Sequence, residues 1–412
     1  MEDARPDSQT DGPMPRHPRF HPLIIACFCA VFYLPYFFTP TTNLLPTYQD
    51  ESQWWLYTLF INQSFSRGFF PLWTPDLACG MPFLAWSHSA ALYPANLIFG
   101  LFEFGRAFWI VQLIHHVIFA LGIYWFCRRL SASPAAALLA TLIAAAQFVN
   151  GPVATFLPNL RTGSWGPLWM LCFYSLLAER RLRWLLGFAL ITFLMFLGGQ
   201  VELIGLGWEL LGVCSLAAGI ITWWRDGLRP LVAPAVLFGV AFALSYLISQ
   251  VQALPTLELT HFSIRGRGLT YEYFRIWSGW MNFTYWLPWL FTGVTAAGLA
   301  AAFGQVRRSP QVAVLLTGLL FCAALIQNLF GFMHIMYLVP VARGLLAHAR
   351  IFSFAVVVIA ALTALGFDAM MRPGARENWL RVTGGIGLLV TPPLLYVLIY
   401  HSDLIQMSEQ SG

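Results

Sequence analysis

The chain has 412 residues, of which 58% are hydrophobic and only 10% charged, with a formal net charge of +5 and a mean hydropathy of +0.67. That balance excludes a soluble globular fold and points to an all-α, polytopic membrane protein. The 23 basic residues are all arginine, and a pI of about 8.9 then bears on membrane topology; no nucleic-acid partner is expected.

Residues 1–19 carry Pro, Asp, Ser and Gly without apolar periodicity and read as a disordered cytoplasmic tail. Apolar stretches follow at 20–38, 107–127, 135–150, 167–178, 184–197, 203–223, 231–250, 285–303, 312–329, 352–371 and 383–400. A hydrocarbon core takes about 20 helical residues, and lipid offers backbone groups no partner, so each stretch is expected as a helix. Together they give about eleven spans in one domain over 20–401, with 402–412 a polar tail. The fourth and fifth are short, which leaves the count open by one or two. The first ends in Thr39-Pro40 without a small-residue cleavage site and is expected to stay as an anchor.

An amino terminus in the cytoplasm puts fifteen of the 23 arginines on the inner side, including Arg128, Arg129, Arg180, Arg181, Arg183, Arg307 and Arg308. Three long segments then face outward: 39–106, 251–284 and 330–351. Seven cysteines are scattered mostly inside spans; only Cys79 falls in an outer loop, so no intramolecular disulfide is expected.

The first outer loop is the most polar part of the chain. Asp50 and Glu51 precede an apolar and aromatic run, 56–65, that reads as a short amphipathic helix at the membrane interface. Asp50 is placed to cap that helix or to act as a base; Glu51 is a first-turn residue or a second catalytic carboxylate. Beyond Arg67-Gly68, four prolines and interleaved aromatics imply a fixed loop packed down on the helices.

The run Asp50-x-x-Gln53, Arg67-Gly68, Pro71-Leu72-Trp73-x-Pro75, Gly80-x-Pro82 and Tyr93-Pro94-x-Asn96 resembles the first external loop of the bacterial YfhO family of membrane proteins. Gly198-Gly199-Gln200, Leu254-Pro255-Thr256-Leu257-Glu258, Ser263-x-Arg265, Ala349-Arg350-Ile351-Phe352 and Gly366-Phe367-Asp368 resemble its later signatures in order. The resemblance implies a GT-C-like fold in a bacterial inner membrane and sugar transfer from a polyprenyl-phosphate donor. It also places the catalytic acid of the first loop at Asp50. Family members are commonly about twice as long, which keeps open a non-catalytic subunit of a membrane complex with a membrane-protein partner.

Transfer from a lipid phosphate needs a carboxylate to take the acceptor proton and positive charge to hold the leaving phosphate. Asp50 fits the first role. Arg265, Arg267 and Arg350 fit the second, although each can instead pair with membrane lipids or with Glu258 and Glu272. Gln53 and His88 are further candidate substrate contacts, and a divalent metal is left open, with no histidine spacing that specifies one. Glu202, at the lip of a span, implies a polar cavity, and Glu209 lies seven residues on along the same face. With the adjacent His115 and His116, these acids also allow a transporter or lipid flippase.

Overall fold

The computed structural model describes residues 19–38, 51–76, 79–148, 157–263, 270–271, 293–339, 345 and 348–371. The expected tails and the span at 383–400 lie outside them. Regular structure among the described residues is helical, and the one β contact is an isolated bridge between Thr74 and Met81. In chain order the helices are α1 (His21–Val31), α2 (Leu34–Phe38), α3 (Glu51–Ser66), α4 (Ile98–Leu101), α5 (Phe104–Arg129) and α6 (Pro134–Phe148). Then come α7 (Leu157–Gly163), α8 (Gly166–Glu179), α9 (Leu182–Leu197), α10 (Val201–Asp226), α11 (Val232–Ile248) and α12 (Gln250–His261). The last four are α13 (Gly293–Phe303), α14 (Pro310–Gln327), α15 (Phe332–Leu338) and α16 (Phe352–Met370).

Each expected span other than 383–400 carries a helix over its described residues, which for 285–303 begin at 293. Four segments, namely α5, α10, α16 and α11 with the 3-10 turn before it, are long and apolar enough to cross a membrane. The protein is thus an all-α membrane protein. The first expected span is broken, because Pro35 has no N–H to continue the ladder and the chain tightens through i→i−3 bonds from Phe32, Tyr33 and Tyr36.

The core is built around α16, which is buried on nearly every side and packs against α5, α6, α8, α13 and α14. An all-round apolar helix of this kind belongs inside a bundle. Its approach to α13 is backbone-close: a Cβ on Gly366 would overlap the carbonyl of Gly298, so the crossing as it stands takes only glycine there. Two residues on, Asp368 Oδ2 accepts the backbone N–H of Ser133 at 2.6 Å and ties the end of α16 to the start of α6. Helices α10 and α11 carry many of the exposed apolar side chains, including Leu216, Trp223, Val236, Phe242 and Leu247, which suits contact with lipid.

At the end of the bundle where α5 stops and α9 starts, Glu179 collects Arg129 and Arg183, each at 2.8 Å, with Arg181 at 3.6 Å and the Trp184 indole N–H at 2.8 Å. Burial alone would raise the Glu179 pKa. The hydrogen bonds from Trp184 and Arg183, with the charges of Arg129 and Arg183, outweigh it and hold the carboxyl below its ordinary 4.5. A carboxylate with a depressed folded-state pKa contributes stability above its unfolded pKa and loses it as the pH falls through the folded one. Thermal unfolding between pH 6 and pH 3 is therefore expected to show a steeper acid loss for the native protein than for Glu179→Gln, and parallel curves would contradict this.

Candidate functional site at the first-loop end

The opposite end of the bundle is closed by the first loop. Gly68 ends α3 with φ +75°, and Gly80, at φ +102°, lets the Trp73 ring lie against its backbone. Helix α12 then clamps the loop: Gln252 Nε2 donates to the Leu84 carbonyl at 2.9 Å and Thr256 Oγ1 to the Ala85 carbonyl at 3.0 Å. Asn96 Nδ2 donates to the Ala90 carbonyl and closes the segment around Tyr93. The prolines, glycines and Leu-Pro-Thr motif thus hold one rigid platform.

On this platform stands His88, in a 3-10 turn over Ser87–Ser89. Its Nε2 donates to Gln200 Oε1 at 3.0 Å, Gln200 Nε2 donates to Glu202 Oε2 at 3.3 Å, and Arg350 Nη1 donates to the same oxygen at 2.5 Å. The two neighbours orient the Gln200 amide, and that orientation in turn puts the proton of His88 on Nε2. Gln200 is fully buried and Glu202 nearly so. The carboxylate tolerates this because a guanidinium neutralises it within the protein.

The Gly198-Gly199 turn makes the chain of contacts possible. Gly199 adopts φ +99°, and a Cβ there would lie 2.5 Å from the Ser87 carbonyl oxygen. A Cβ on Gly198 would lie 2.9 Å from the Arg161 carbonyl and the Thr162 hydroxyl. The turn is wedged between the first loop and α7, and the Gln200 N–H donates to Thr162 Oγ1 at 3.1 Å.

Behind the turn lies a second polar cluster. The Trp165 indole N–H donates to Tyr93 Oη at 2.8 Å, and Tyr93 Oη is 2.6 Å from His115 Nε2. His115 Nδ1 is 2.6 Å from the Val111 carbonyl, which accepts only; Nδ1 therefore carries the proton and the phenol donates to Nε2. Arg161 sits beside them, 1% exposed, with Nη2 3.5 Å from Thr58 Oγ1 of α3. Its Nε is buried with no hydrogen-bond partner, and no acid pairs with it among the described residues. His116 diverges, as adjacent helical residues must, and bonds to the Ala145 carbonyl at 2.9 Å.

Of the residues singled out in the sequence, His88, Glu202 and Arg350 come together, joined by Gln200. Asp50, Arg265 and Arg267 lie outside the described residues. Glu51 opens α3 and Gln53 lies in its first turn, but their side chains are not described. Glu209 does not join the network: its Oε2 is buried and has no hydrogen-bond partner. Among the described residues no three His, Cys, Asp or Glu side chains converge as a metal site. Sequence reasoning assigned Arg161 no functional role, placed Tyr93 only within the first-loop motif, and set His115 only beside His116 in the transporter alternative. The signal for Arg161 was an arginine in a short connection between spans, flanked by Leu-Pro-Asn-Leu and Thr-Gly. No family model matches the chain, and no curated protein matches it either.

Proposed function

We propose that this protein is a GT-C-like glycosyltransferase of about eleven spans, with a cytoplasmic amino terminus in a bacterial inner membrane. It transfers a sugar from a polyprenyl-phosphate donor to an acceptor on the outer face. The reading rests on the ordered resemblance to the YfhO family. The observation that carries it furthest is that Gln200 and Arg350, each in a resembling motif, join His88 of the first loop and Glu202 in one largely buried polar chain at one end of the bundle. In the reaction the acceptor hydroxyl oxygen attacks the anomeric carbon, Asp50 takes its proton, and the sugar–phosphate bond breaks with its electrons leaving on the phosphate. Positive charge at the first-loop end stabilises that phosphate.

Reconstituted protein supplied with a polyprenyl-phosphate-linked hexose tests this directly. Asp50→Asn should lower transfer by about 100-fold or more while leaving insertion unchanged, since a positioned base contributes roughly 10²–10⁴ in rate. Full transfer by Asp50→Asn would end the mechanism.

A transporter reading draws on Glu209, whose Oε2 is buried without a partner in the long helix α10. Substrate uptake by proteoliposomes that Glu209→Gln abolishes and Asp50→Asn spares would favour it. A non-catalytic subunit would instead keep its cellular role after Asp50→Ala and copurify with a stoichiometric membrane partner.

A further inference from the structure

Three charged residues are buried among the described ones: Arg128, Arg161 and Glu202. Glu202 is neutralised by Arg350. Arg128 lies in the last turn of α5, where unpaired carbonyls favour a cation, and it donates to the Ala132 carbonyl. Among the described residues Arg161 has neither kind of compensation, and its side-chain hydrogen bond there is the long contact to the neutral Thr58 hydroxyl. A fixed cation in a low-dielectric interior is strongly unfavourable without a counter-charge, and that cost singles Arg161 out as a functional group.

The surroundings have the chemistry of a phosphate receptor. Ser164, three residues beyond Arg161, continues the α7 turn through its N–H to the Leu160 carbonyl, which puts the two side chains on one side of that turn. Its hydroxyl is buried and, like Arg161 Nε, has no partner. A guanidinium fork and a hydroxyl are donors suited to phosphate oxygens. Arg350, by contrast, spends charge on Glu202 at 2.5 Å.

We propose that Arg161 is the binding residue for a phosphate group, carried by a lipid or free in solution, that enters between α3 and α7 with Ser164 as a second donor. This site does not depend on sugar transfer. If transfer occurs, Arg161 rather than Arg350 is the described arginine that holds the leaving phosphate.

The test uses full-length protein in detergent and reads the melting temperature with farnesyl phosphate, inorganic phosphate or farnesol. Both phosphates should stabilise the native protein if the site takes free phosphate, and farnesyl phosphate alone if it takes a lipid headgroup; farnesol should do neither. Arg161→Met should melt no lower than the native protein without ligand, because it removes an uncompensated charge, and should bind farnesyl phosphate at least tenfold more weakly. Arg161→Lys should bind better than Arg161→Met, and Ser164→Ala several-fold more weakly than the native protein. The last variant keeps the question answerable if Arg161→Met does not fold.

No shift of the native protein by either phosphate would overturn the site, as would an equal shift by farnesol or undiminished binding by Arg161→Met. Phosphate binding that persists in Asp50→Asn, with no sugar transfer by the native protein, would leave this site standing and remove the transferase reading. Transfer without any Arg161-dependent binding would do the reverse.

Discussion

Arg350→Ala is expected to cost about 3–5 kcal/mol of stability, because it removes the guanidinium that neutralises the nearly buried Glu202 carboxylate. The pair joins α10 to the 3-10 turn that precedes α16, residues 148 apart in sequence, so its loss also loosens the loop end. Glu202→Gln should recover much of the loss when added to Arg350→Ala, since it removes the orphaned charge and keeps the shape. Chemical unfolding in a mild detergent, run as a double-mutant cycle, measures this coupling. Additive single and double losses would mean that the two side chains do not pair.

The second large effect is expected at Gly199. Replacement by alanine meets two independent penalties: a φ of +99° that L side chains rarely adopt, and a Cβ 2.5 Å from the Ser87 carbonyl oxygen. The backbone of either the turn or the 3-10 segment must move, at roughly 2–4 kcal/mol in all. That movement pulls Gln200 from His88, so activity should fall together with the melting temperature. Gly212→Ala, where a Cβ meets no heavy atom within 4 Å, is the control and should leave both nearly unchanged.

The helical membrane character was legible because it depends on local apolar runs, which composition and periodicity report well. The broken first span was less so: a run from Phe20 to Phe38 reads as continuous until the missing N–H of Pro35 is weighed against it. Gly366 and Asp368 stood out as a motif, but their jobs, a backbone crossing with α13 and a tie to α6, depend on helices distant in sequence. Glu202 announced a polar environment by its cost near hydrocarbon, yet no periodicity could point to Arg350 as its partner. Arg161 was the least legible. Its place in the fold arises only when the Gly198-Gly199 turn packs across α7 and α3 comes alongside, and an arginine in a short connection between spans otherwise reads as a solvated topology signal.

The most direct measurement is a structure of the protein in lipid nanodiscs with a polyprenyl-phosphate-linked sugar bound. Phosphate density at the first-loop end, within hydrogen-bonding distance of Arg161 and with the sugar reaching Asp50, is the expected result. Phosphate bound only at the Arg129–Glu179 end, or a donor whose sugar lies out of reach of Asp50, would contradict it.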